Sequence, residues 1–407
     1  MTVLADLSWG IALYQLLYFI FPANRWWYTI PRFRYTFLVG IIIILVYLFK
    51  KRTSSRENVT LFPQAKCLLV MIVLMCLISF WAVWPEQHTR FLILQCQQFV
   101  FMFIAYQAID KEKKFDRILW AYLAGCFYIG YIAHGLPRDA FGRLEGIGMP
   151  DGPDANGVAA VLCTAVPLLL HSLITGKKYQ RLLSVCFLPY IINAIILLNS
   201  RASFLSLFFS VCYFLFFVFI HSNLPPGVKI KTFIIILIGT FLFIHLSDNT
   251  FWARISTIRQ VEIGEGGATR VNFWLASLNL LPDYPLGLGA RGFEQLSPSI
   301  LPHEWLNQRT GTIAVHSTYF EALTEFGFFA IPLLAGFIFT SFVDLRKVKK
   351  FAIQHTDKNL YLKAIAFESS YISYLIAIAF INRLYAEVFY WLMLFIATFR
   401  KVSSPER

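Results

Sequence analysis

Long apolar runs constrain this chain more than any other feature. Stretches such as 155–175 and 202–220 are apolar almost without interruption, and about 17–25 such residues are what a helix needs to cross a hydrocarbon core about 30 Å thick. Twelve candidates follow one another: 7–23, 35–49, 67–84, 91–109, 118–133, 155–175, 182–199, 202–220, 232–246, 317–342, 360–381 and 384–399. In lipid every backbone N–H and C=O must be paired internally, which leaves helices or closed barrels. The runs lack the alternation of a barrel strand, and no period of 20–50 residues points to a solenoid. The expectation is an all-α integral membrane protein with about twelve transmembrane helices. Composition agrees, at 57% hydrophobic and 14% charged, where soluble domains run at about 45–50% and about 25%. A soluble enzyme and a disordered chain are both excluded.

The net charge of +13 suits a nucleic-acid binder or the basic cytoplasmic loops of a membrane protein. Placement decides between them. With residue 1 in the cytoplasm and sides alternating, the segments 50–66, 110–117, 176–181, 221–231, 343–359 and the tail from Arg400 hold 22 of the 36 basic residues. Thirteen fall on the other side, and all thirteen are arginine, while all 16 lysines lie on or near the cytoplasmic side. Positive-inside topology explains the excess and removes any need for nucleic acid. It gives no reason for the outer set to be arginine alone. A planar guanidinium grips phosphate or carboxylate oxygens in bidentate fashion, so the outer face is expected to bind an anion. MTVLADLSWG lacks the basic start of a cleavable signal, so the first helix is expected to stay. The seven cysteines lie in or at the ends of the apolar runs with no CxxC, against both disulfide frameworks and zinc sites. The sequon at Asn58–Thr60 falls in a cytoplasmic loop, and Trp26-Trp27-Tyr28 reads as an interfacial aromatic belt.

Three parts are expected: helices and short loops over 1–246, a large outer loop over 247–316, and helices with a cytoplasmic tail over 317–407. A connection as long as 247–316 is usually functional or carries helices of its own. ATRVNFWLASLNLL (268–281) reads as an interfacial helix, with Arg270 one turn before Trp274. PDYPLGLGARGF follows, a turn-rich stretch that lets backbone approach a ligand closely. His316 closes the loop and opens HSTYFEALTEFGFF. Elsewhere HGLPRDAFGRLEGIGMPDGPD occupies the outer loop 134–154, and Asn199-Ser200-Arg201 separates two long apolar runs. An arginine at the edge of two apolar runs snorkels to the interface or faces a polar cavity.

NSRASFLSL, the helix beginning near Arg270, the P-x-x-P-L-G-x-G that follows it, and HSTYFEALTEFG together resemble the O-antigen ligase/polymerase superfamily. GRLEGIGMPDGPDANGVA is similar to that superfamily's Arg-x-x-Gly…Asn-x-x-Ala segment. The resemblance covers about residues 140–345, with one departure: Ser317 stands where asparagine is common. It implies a C-type glycosyltransferase-like architecture in the bacterial inner (cytoplasmic) membrane, with the active site facing the periplasm. It implies transfer of a glycan, the O-antigen, from undecaprenyl diphosphate to lipid A–core, or in a polymerase to another carrier-linked acceptor. Matching residue by residue gives His316 the catalytic role and gives Arg201 and Arg270 the diphosphate.

Chemistry read from the residues agrees. A departing diphosphate needs cationic stabilisation, which arginine supplies. An acceptor hydroxyl needs a base, and histidine suits that. No cofactor is implied, and there is no Asp-x-Asp to hold a metal; Asp151-Gly-Pro-Asp154 reads as a turn. Arg143, Arg291 and Glu325 are further candidates for substrate contact. Glu321 and Glu325, at i and i+4, can orient His316, touch sugar or pair with an outer arginine. His303 reads as an exposed loop histidine. Gln95, Gln97, Gln98 and Gln107 read as interhelical hydrogen-bonding groups. The expected partners are the carrier-linked glycan, lipid A–core and membrane lipids. A lipid-linked glycan transporter would place ionisable groups near the midplane and usually show repeats; here charges sit at run ends. A non-enzymatic membrane component has no use for a loop of arginine, glycine and aromatics ahead of a histidine.

Overall fold

A computed structural model describes residues 6–26, 29–53, 61–139, 142–152, 154–220, 224–256 and 268–403. Trp27, Tyr28, the sequon at 58–60, His221 and Arg259 lie outside them. The described residues form an all-helical bundle without β-strands, and each of the twelve apolar runs lies mostly on helix, with 79–84 and 384–386 outside it. In chain order the helices are α1 (Leu7–Ile20), α2 (Pro22–Arg25), α3 (Tyr35–Thr53), α4 (Pro63–Ile78), α5 (Pro85–Ala108), α6 (Glu112–His134), α7 (Ala155–Thr175), α8 (Lys178–Leu198) and α9 (Arg201–Ile220). They continue with α10 (Pro226–Leu246), α11 (Asn249–Ser256), α12 (Ala268–Asn279), α13 (Gly292–Ile300), α14 (Thr318–Phe326), α15 (Ala330–Gln354), α16 (Lys358–Ala377) and α17 (Glu387–Ser403).

Local chemistry sets the ends. Asp6, Asp154 and Asp357 cap α1, α7 and α16, each accepting from a first-turn N–H at 2.9–3.0 Å. Proline opens α4, α5 and α10, where its missing N–H costs nothing. Seven described helical stretches are long and apolar enough to cross a membrane. This is a multi-pass membrane protein.

Burial orders the bundle. From Val388 to Phe399, α17 is buried on every face, and Trp391 is ringed by Tyr14, Tyr18, Phe19 and Tyr122 at 4.8–6.3 Å between centroids. In α10, by contrast, only Thr232 is buried. A helix that is apolar all round but unburied is what lipid solvates.

The run 317–342 is not one helix. Gly327 breaks it between α14 and α15, with φ of 57° and a Cβ position only 2.0 Å from the carbonyl oxygen of Pro285. Phe328 then donates its N–H to that oxygen at 3.1 Å, so the break is where the long loop docks.

Ion pairs sort to two ends. Asp6–Arg117 and Arg400–Asp344 join residues assigned to the lysine-rich side, and Lys363–Asp116 and Lys349–Glu368 join such residues to the 360–381 run. Arg138–Asp248, Arg143–Glu145, Arg291–Glu294 and Arg383–Asp154 join residues assigned to the arginine side. Among the described residues no ion pair mixes the two sets.

Candidate active site

The segment 268–316 folds on a small core of its own: Phe273, Phe293, Leu301, Leu306 and Val315, with Trp274, Trp305 and Phe320 packed against it. Trp274 stacks on Phe320 at 5.3 Å and 10° between planes. That contact fixes α12 against α14, and Arg270 is therefore carried to a set place one turn earlier on α12.

The glycine-rich stretch after α12 approaches the protein's own backbone closely. Leu288 and Gly289 donate their N–H groups to the carbonyls of Thr324 and Glu325, at 2.8 and 3.1 Å. A Cβ at Gly287 would stand 2.3 Å from the Glu325 carbonyl oxygen. The last carbonyls of a helix lack partners within it, and here this loop supplies them for α14. Trp81 Nε1 donates to the Gly287 carbonyl and Val83 N–H to that of Leu288, tying the same strip to the start of α5.

This docking sets Arg291. Its φ is 60°. Its N–H donates to a Glu325 carboxylate oxygen at 2.7 Å, and its guanidinium meets Glu294 at 2.9 Å. Burial alone would lower the Arg291 pKa; the carboxylates of Glu321, Glu294 and Glu325 outweigh it and hold the cation above its usual value. The other Glu325 oxygen accepts from the Tyr385 hydroxyl. Glu325 is 2% exposed, a support for Arg291. Glu321 is the carboxylate of this pair that reaches a cavity wall.

His316 sits just before α14 with φ of 55°. A left-handed non-glycine residue costs about 1–2 kcal/mol, and such strain tends to gather at functional sites. Its ring lies 6.1 Å from that of Phe273. The imidazole pKa is pushed down to about 4, first by burial and then by Arg270, with Arg291 adding to the effect and Asp154 opposing it. At neutral pH the ring is therefore uncharged, with a nitrogen lone pair to offer. The structure thus brings Arg270, Arg291 and Asp154 into one electrostatic neighbourhood around His316.

Arg201 opens α9, directly after Asn199 in the left-handed conformation and a buried Ser200. The loop before α7 is laced to this junction. Leu144 N–H donates to Leu197 O at 3.0 Å, and Arg143 donates to the Leu198 carbonyl at 3.4 Å and to Asn156 at 3.1 Å. The two halves of the Arg-x-x-Gly…Asn-x-x-Ala pattern therefore meet side chain to side chain. The segment 149–152 is a tight turn closed by two hydrogen bonds between Met149 and Gly152.

Sequence reasoning counted Arg383 only as an outer cation. It is 8% exposed, donates to the Asp151 carbonyl at 2.6 Å and pairs with Asp154 at 2.7 Å. Burial would lower its pKa, but Asp154 outweighs that and raises it. Asp154 in turn is held below the usual carboxylate range: burial raises it, and Arg383 and the Gly157 N–H outweigh burial. A signal was present, since Asn382-Arg383 between two apolar runs repeats the setting of Asn199-Ser200-Arg201. His303 is exposed, and Gln98 reaches the Glu387 carbonyl at 3.4 Å.

Beside these groups lies a cavity of about 900 Å³, whose wall includes Arg291, Glu294, Glu321, Asn382 and Arg383. A base kept neutral, half-buried and buried cations and a polar cavity are the parts that transfer from an anionic leaving group requires.

A search of curated proteins found no match to the chain. Residues 186–335 match the family model described as O-antigen ligase, a span that contains Arg201, Arg270, Arg291, His316, Glu321 and Glu325. Over that span the chain is similar to the O-antigen ligase family.

Proposed function

We propose that this protein is a metal-independent membrane glycosyltransferase that moves a glycan from undecaprenyl diphosphate to lipid A–core at the periplasmic face of the inner membrane. The observation that carries this reading is His316, half-buried at the head of α14 in a strained left-handed conformation and held uncharged by its surroundings and by Arg270 and Arg291. The reading takes the twelve apolar runs as twelve crossings, with 247–316 on the periplasmic side, and is supported by the sorting of ion pairs to two ends.

In this mechanism His316 accepts the proton of the acceptor hydroxyl as its oxygen attacks the anomeric carbon. The bond from that carbon to the diphosphate oxygen breaks, and the electron pair leaves with the diphosphate. Arg201 and Arg270 hold that anion. Arg201 itself opens α9, and a helix N-terminus is a setting that favours negative charge. Arg291 and Arg383 raise the positive potential around the reaction centre, and Asp154 limits it.

Purified protein given carrier-linked glycan and lipid A–core tests the reading by gel analysis of the product. A shifted lipid A–core band supports it. A ladder that stays carrier-linked replaces it with a polymerase, and no product with either acceptor removes the enzyme reading.

A further inference from the structure

Two spaces adjoin in this molecule, and neither is lined by Arg201, Arg270 or His316. One is an apolar groove of about 730 Å³ walled by α1, α3 and α5, with Leu17, Phe37, Ile41 and Phe101 in its lining and Arg32 and Arg34 at one end. The other is the polar cavity of about 900 Å³, whose wall carries Trp84, Thr89, Arg90, Glu294, Glu321 and Asn382. Arg34, Leu94, Gln97, Pro150 and Glu387 belong to both walls, so the two are continuous.

Building on the function proposed above, we infer that groove and cavity together are the acceptor site for lipid A–core: saccharide in the cavity, acyl chain in the groove, and phosphate at the junction. The chemistry fits this occupant part by part. Carboxylates and amides take up sugar hydroxyls, and an indole offers an apolar face to a sugar ring. The Oδ1 atom of Asn382 is buried and accepts no hydrogen bond among the described residues. Asn382 belongs to the cavity wall, and a side-chain amide is a partner for saccharide hydroxyls. Arg34 places positive charge where groove and cavity meet, with Arg32 in the groove wall and Arg90 in the cavity wall, which suits the phosphates of a phosphorylated saccharide lipid. The groove is apolar, as acyl chain requires.

The geometry also assigns this side to the acceptor rather than to the donor. Arg291 and Arg383 line the cavity, and Arg383 donates its backbone N–H to Oγ1 of Thr318, two residues after His316, at 2.8 Å. The cavity therefore neighbours the base, while the proposed diphosphate arginines lie outside its wall.

Binding, measured by native mass spectrometry of the purified full chain, tests the inference without relying on turnover. The probes are lipid A–core and undecaprenyl diphosphate. Gly40→Trp places an indole in the groove; a Cβ there meets only the Tyr14 ring, at 3.9 Å, so the helix itself tolerates a side chain. Arg34→Glu reverses charge at the junction and is an independent second variant. Each is expected to weaken lipid A–core binding at least roughly tenfold, with undecaprenyl diphosphate binding unchanged within about twofold. Unchanged lipid A–core binding in both variants overturns the inference. Loss of undecaprenyl diphosphate binding instead also overturns it, by giving the groove to the carrier. Wild-type protein that binds lipid A–core in this groove but transfers nothing to it keeps the inference and removes the functional reading. Wild-type transfer with an unchanged acceptor KM in both variants does the reverse.

Discussion

Arg383 occupies the space that any side chain at position 157 would need: a Cβ on Gly157 would lie 1.4 Å from Nη2 of Arg383. The glycine is the notch through which α7 admits the guanidinium to Asp154, its own N-cap, and to the Asp151 carbonyl. Cap, turn and arginine thus form one unit, which sets the position of Asp154 against His316.

Gly157→Ala is therefore expected to displace Arg383 and leave a buried guanidinium short of partners. An unsatisfied buried polar group costs about 1–3 kcal/mol, more when charged. A lowered thermal unfolding midpoint in detergent, with reduced transfer, is the expected outcome. An unfolding midpoint and activity equal to wild type would show that the notch is dispensable.

His316→Ala should lower transfer by about 10²–10⁴-fold, the usual contribution of a general base, while carrier binding survives because the arginines remain. His316→Gln separates base from scaffold, since it keeps hydrogen bonding but not basicity. A folded His316→Gln protein that transfers glycan near the wild-type rate would falsify the base role.

Arg201→Ala and Arg270→Ala should each weaken the diphosphate contact by about 1.5–3 kcal/mol, roughly ten- to a hundredfold in kcat/KM. Lysine at either position keeps charge but loses the bidentate fork, so it should restore activity only in part. Full activity in the double alanine variant at normal expression contradicts the assignment.

The pH dependence has a definite sign. A histidine pKa depressed to about 4 keeps the base form populated down to that pH, so an acid limb of kcat/KM due to His316 should lie well below 6.5. Arg270→Gln removes one of the charges that depress it, so the limb of the residual activity should move up towards the ordinary histidine value. The same depression makes His316 a group that opposes folding in acid, as protonation of the unfolded chain begins near pH 6.5. Stability should fall as pH drops from there towards 4. A limb that stays put in Arg270→Gln would mean that Arg270 does not act on the ring.

Topology is testable with single cysteines in a background lacking the seven native ones. Ser299 and Gln354 are both exposed, whereas Ser297 is buried and hydrogen-bonded to Glu294 and Ile313. An impermeant thiol reagent on cells with a permeabilised outer membrane and an intact inner one should label Ser299→Cys and spare Gln354→Cys. The reverse pattern inverts the orientation and removes the periplasmic site.

The apolar runs and the sided lysines by themselves determined an all-helical, multi-pass membrane protein, because hydrocarbon leaves the backbone almost no alternative and hydropathy is a local property. The order of short motifs likewise marked Arg201, Arg270 and His316, each beside a break between apolar runs. What local sequence does not contain is which segments meet. That the glycine-rich stretch would cap α14 depends on the carbonyls of Thr324 and Glu325, 36 residues later. That Arg383 would lie against Asp154 depends on a contact 229 positions apart. The neutrality of His316 depends on partial burial against Phe273 of the loop core and on charges from three separate segments. Spacing along the chain fixes none of these, because charge–charge energies and burial depend on distance in space, and only the packed bundle sets that distance.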